Sequence, residues 1–65
     1  MSGILIIGGK ADGQRCPLKT VEITFEGDRY IQVTFQKDKT THFFYMLTGM
    51  VPVEAQKIYL ERTKP

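Results

Sequence analysis

Gly8-Gly9-Lys10 stands directly behind the apolar run Ile4-Leu5-Ile6-Ile7 and has the flavour of a phosphate cradle, because glycines let backbone N–H groups turn toward an anion. The spacing does not follow through. Neither G-x-G-x-x-G nor G-x-x-x-x-G-K-[ST] is present, and no helical pattern follows whose N-terminus could hold the charge. A structural turn is expected instead, with Asp12 fixing it through its own side chain. Cys16 and His42 are each the sole member of their kind, so a nucleophilic pair requires these two to meet beside an orienting group, and nothing in their spacing brings that about. One His and one Cys also fall short of a tetrahedral zinc site without carboxylates or a second subunit. Glu22 and Glu26 fall on the outward face of a strand, where carboxylates solubilise. The expectation is a non-enzymatic protein with no catalytic residue, no metal and no cofactor.

The elements that must position these residues follow from hydrophobic periodicity. Ile4-Leu5-Ile6-Ile7, rich in β-branched residues and apolar on both sides, reads as a strand inside a sheet. Residues 8–14 carry Gly8, Gly9, Gly13 and Asp12, which reach left-handed dihedrals cheaply, and form a tight loop. Arg15-Cys16-Pro17-Leu18 reads as a brief edge strand, since Pro17 lacks a ladder donor. Val21, Ile23 and Phe25 alternate with polar residues, as do Ile31, Val33 and Phe35. A two-residue turn at Gly27-Asp28 would set their apolar faces against each other. A three-residue loop, Gly27-Asp28-Arg29, pairs Phe25 with Ile31, Ile23 with Val33 and Val21 with Phe35, so this register is preferred: each apolar side chain left in water costs roughly 1.5–3 kcal/mol. After the turn Lys37-Asp38-Lys39, residues 40–47 form a further strand, rich in aromatics and Thr. The same loop length puts Phe43, Tyr45 and Leu47 on the core face and His42, Phe44 and Met46 on the other. The last element is a helix over 52–62, with Pro52 at its first position and Val51, Ala55, Ile58 and Tyr59 as the stripe that lies on the sheet. Val53 and Leu60 fall on its far side. The layout predicts one α+β domain over residues 1–65: a small antiparallel meander of three to four strands with a single C-terminal helix on one face.

One helix cannot cover both faces of such a sheet. In the preferred register Tyr30, His42, Phe44 and Met46 emerge together on the side away from it, and three readings compete. The N-terminal strand or the glycine loop folds over them and completes the core. Alternatively they form a surface for a protein partner or a second copy, since large uncovered apolar patches mark interaction sites. As a third reading they stack bases of single-stranded nucleic acid, with Arg29, Lys37 and Lys39 near phosphates. Charge separates the last two: nine Lys and Arg against seven Asp and Glu leave a net of +2, interspersed along the chain with no basic stripe. Protein binding leads, with Tyr30, His42, Phe44 and Met46 as the candidate site and Val53 and Leu60 as a secondary surface; weak nucleic-acid binding is the alternative.

At 65 residues the chain buries only about 60% of the surface that it exposes unfolded, so its stability margin is thin. The single cysteine excludes an intramolecular disulfide and suits a reducing cytosol. The start, Met1-Ser2-Gly3-Ile4, has no basic region, and the apolar run behind it is too short for a signal peptide or a membrane span, so the expectation is a cytoplasmic protein without a membrane partner. The segment Ile6-Ile7-Gly8-Gly9-Lys10-Ala11-Asp12-Gly13-Gln14 resembles the opening of many very short proteins of tailed bacteriophages and prophages, a brief apolar strand followed by Gly-Gly-x-x-Asp-Gly. Lys10 stands where that group usually has proline or a similar residue. The resemblance implies a viral accessory protein acting in a bacterial cytoplasm, and it carries over no catalytic residue.

Overall fold

The computed structural model describes residues 3–17 and 21–64, so Leu18 of the expected edge strand lies outside the described residues. Five strands precede one helix: β1 (Ile4–Ile7), β2 (Arg15–Cys16), β3 (Glu22–Phe25), β4 (Asp28–Lys37), β5 (Thr40–Leu47) and α1 (Pro52–Arg62). They form one curled sheet in the order β2-β1-β5-β4-β3, with α1 packed on it. The architecture is the expected α+β one, with five strands rather than three to four. The sheet is mixed, not a pure meander, because β1 runs parallel to β5 while the other neighbours are antiparallel. The apolarity of β1 on both sides explains its interior place. Leu5 and Ile7 join the core under α1, and Ile4 and Ile6 join a second core on the opposite face.

Register is where the structure departs from the sequence reading. The β3–β4 corner is the two-residue turn Glu26-Gly27, which pairs Ile23 with Tyr30 and Phe25 with Asp28; the β4–β5 corner is Asp38-Lys39, which pairs Val33 with Phe44 and Phe35 with His42. All four turn residues have positive φ (48° and 90°, then 52° and 65°), as primed turns require, and these turns match the right-handed twist of the strands they join. The three-residue loops are therefore absent, and an odd slip, three residues at the first corner and one at the second, reverses every side chain. Ile31, Val33 and Phe35 share the helix side with His42, Phe44 and Met46. Ile23 and Phe25 share the other side with Tyr30, Tyr45 and Leu47.

Pro52 opens α1, as expected, and Val51 caps it without a side-chain bond. Ala55 is fully buried, and Ile58 and Tyr59 pack on the core beneath. Val51, assigned to the same stripe by spacing, stays out of it because it precedes the proline and lies outside the helix. The far face of the sheet is closed by the glycine loop, whose Ala11 is fully buried against Ile6, Tyr30 and Tyr45. Of the readings weighed for the uncovered face, folding-over by the loop describes the Tyr30 side.

Candidate functional site

The residues first singled out are not assembled as a surface. Tyr30 and Phe44 are fully buried and Met46 nearly so, at 3% exposure. They also divide between opposite faces: Phe44 and Met46 lie beneath α1, and Tyr30 lies beneath the glycine loop. Their assignment to an exposed docking face is overturned, because the two-residue turns reverse the parity on which it rested. The base-stacking platform built from the same rings goes with it. His42 is half-buried, its ring stacked on Phe35 with centroids 5.1 Å apart, and its Nδ1 lies 3.3 Å from Tyr59 Oη. Tyr59 in turn stacks on Phe44, centroids 5.1 Å apart, and meets Phe35 edge-on. These four rings join the helix to the sheet, each pair in a geometry that adds to its area burial.

Cys16 and His42 do not meet. Cys16 packs in the loop-side core and burial pushes its thiol pKa up, away from the reactive thiolate; His42 sits on the helix side. Glu22 accepts from Arg29 Nε at 2.6 Å, and Glu26 lies in the exposed turn. Among the described residues no three His, Cys, Asp or Glu side chains converge as metal ligands.

The glycine loop does have the donor geometry of an anion cradle, but its own chain occupies it. Gly8 N–H donates to Asp12 Oδ1 at 2.7 Å, Lys10 N–H to Asp28 Oδ2 at 2.9 Å, and Ala11 N–H to Tyr30 Oη at 3.0 Å. Tyr30 O–H then donates to the Gly8 carbonyl at 2.8 Å. Asp12 thus fixes the turn through its side chain, as the sequence suggests, and two residues distant in sequence complete the job. Outside the loop, Arg62 in the last turn of α1 grips both Asp12 oxygens, at 2.9 and 3.0 Å. The Arg62 guanidinium, and after it the Gly8 N–H, hold the Asp12 carboxyl below its usual range.

A pH dependence follows. Because Asp12 binds its proton more weakly folded than unfolded, its contribution is present above the ordinary carboxylate pKa near 3.9 and is lost as pH falls through the depressed folded value. Arg62 and Asp12 are 40% and 38% exposed, so solvent screening limits the pair to about 1 kcal/mol or less. Urea titrations from pH 6 down to pH 2 should show the wild type losing this increment, whereas Asp12→Asn lacks it throughout. An unchanged difference between the two proteins across that range would contradict the assignment.

The open apolar positions lie elsewhere. Val51 and Val53 are 57% and 61% exposed, and Pro52 between them is exposed too, so an uninterrupted apolar triplet caps the corner where β5 turns into α1. Of the six candidate residues, Val53 remains outward; Leu60 is half-buried. Val21 and Ile31 are also exposed, at the β3 side of the sheet. Val51, Val21 and Ile31 were missed because helical spacing assigned the first inward and strand alternation the other two. The sequence signal that separates Val51 from the stripe is Pro52, which starts the helix after it.

No protein-family model, curated protein or solved structure matches this chain. Among the described residues no helix is long and apolar enough to cross a membrane.

Proposed function

We propose that this chain is a non-enzymatic protein-binding module, with the Val51-Pro52-Val53 corner as its principal contact and a protein offering an apolar pocket as its partner. The observation that supports this reading is the uninterrupted exposure of these three residues on a backbone that Pro52 restrains at the first turn of α1. A restrained apolar knob loses little conformational freedom when a pocket closes over it, so more of its burial appears as affinity. The proposal extends, on the resemblance of residues 6–14 to short phage proteins, to a viral accessory factor that acts on a host or phage protein in a bacterial cytoplasm.

The test compares the wild type with the double variant Val51→Ser/Val53→Ser as immobilised baits in bacterial lysate at 0.05 to about 0.5 M salt, the range over which phosphate-driven binding falls steeply. The expected result is a protein retained by the wild type at all salt concentrations and lost from the variant. Both positions are exposed and serine at the Val51 cap can only add a cap bond, worth about 0.5–2 kcal/mol, so the variant's melting temperature should equal or exceed the wild-type value. Identical retention by both baits overturns the contact, and salt-sensitive capture of nucleic acid alone overturns the reading.

A further inference from the structure

We propose that residues 8–14 are a lid, latched by the Asp12–Arg62 pair, that opens while the rest of the sheet stays folded. Most of the loop's own contacts are polar, although Gly8 and Gly9 lie against Leu47 and Met50 and the loop covers the rings of Tyr30 and Tyr45. Ala11 carries its one apolar side chain, a single methyl set against Ile6, Tyr30 and Tyr45. The remaining anchors are the bonds to Asp28 and Tyr30, the Lys10 ammonium on the Glu26 carbonyl at 3.3 Å, the Gly13 N–H on the Ile6 carbonyl and the Ile6 N–H on the Gln14 carbonyl, both at 2.9 Å, and the latch. Water replaces such bonds when the loop lifts, and segments with few apolar contacts and exposed hydrogen bonds open at lower free energy than the whole domain.

The ends of the segment suit a hinge. Gly8 and Gly13 both have positive φ, 92° and 87°, and the space beside Gly13 where a side chain would stand is empty to 4 Å. The latch joins the lid to the final turn of α1 across 50 residues of sequence, and both of its side chains are reached by solvent. Salt, or an acidic group competing for Arg62, therefore acts on the lid from outside. Lifting it uncovers the rings of Tyr30 and Tyr45, which are fully buried in the closed form.

Amide hydrogen exchange of the full chain, followed by NMR at increasing low concentrations of urea, tests this. Ala11 N–H, which bonds Tyr30, should exchange through an opening whose urea slope is smaller than that of global unfolding, since only the lid and the rings beneath it are exposed, whereas amides in the middle of β5 should follow global unfolding. Arg62→Ala should speed the Ala11 exchange about two- to fivefold without changing its urea slope, and about 0.5 M NaCl should reproduce part of the effect. If Arg62→Ala proves too unstable, Arg62→Lys keeps the charge and gives a smaller acceleration in the same direction, because it lacks the bidentate fork. An Ala11 slope equal to that of β5 removes the lid. A shallow slope that both variants leave at the wild-type rate removes the latch.

Discussion

Replacing Phe44 by serine should abolish cooperative folding. The ring is fully buried, stacks on Tyr59 and meets Phe35 edge-on, so it ties β5 to both α1 and β4. Phe→Ala at a closed core site costs about 3–5 kcal/mol, and serine adds a buried hydroxyl without a built partner. A domain of this size has little more than about 5 kcal/mol to lose. Circular dichroism during a urea titration should show either no transition or one beginning without denaturant. Phe43→Ser provides the contrast: Phe43 is half-buried and belongs to neither core, so the protein should remain folded. If Phe44→Ser kept wild-type stability while Phe43→Ser unfolded the protein, the parity of β5 would be the reverse of the one described.

The second large effect is expected at Gly9. A methyl group there would stand 2.6 Å from Asp28 Oδ2 and 2.6 Å from Tyr30 Oη, the two acceptors that hold the loop, on a backbone with φ of +65°. Left-handed φ costs an L-residue about 1–2 kcal/mol, and pushing either acceptor away leaves the buried Ala11 N–H or the Lys10 N–H short of its partner, at about 1 kcal/mol or more each. Gly9→Ala should thus cost about 2–4 kcal/mol, and lower the melting temperature by at least about 10 °C in a domain this small. Gly13→Ala isolates the backbone part: φ is +87°, but nothing lies within 4 Å of the new methyl, so only about 1–2 kcal/mol is expected. Equal effects at the two positions in differential scanning calorimetry would mean that the acceptors around Gly9 move aside at no cost.

Both predictions turn on the same decision, made at the two hairpin corners. Alternation identifies β3, β4 and β5 as strands, but it is silent on the register that joins them. The register expected from the sequence gathers Val21, Ile23, Phe25, Ile31, Val33 and Phe35 on one face, yet Val21 is 72% exposed. That choice minimises exposure only if one face is covered. In the folded chain α1 covers one side and Ala11 with the glycine loop covers the other, so the primed turns at Glu26-Gly27 and Asp38-Lys39 can divide the apolar residues between two cores at the cost of leaving Ile31 38% exposed. Burial of Phe44 and Met46 beneath the helix follows from that division, as does the loss of the docking face built on them.

Local chemistry was sufficient for the interior place of β1, whose run of Ile and Leu has no polar side to give to water. It was also sufficient for Pro52 at the start of α1, where its missing N–H and restrained φ do no harm, and for Asp12 as the residue that closes its own turn. Each is decided by a few neighbouring residues. Strand parity, the meeting of Tyr30 with the glycine loop, and the reach of Arg62 to Asp12 depend instead on groups 19 to 50 positions apart, whose approach is set only when loop length, strand twist and the covering of both faces are satisfied together.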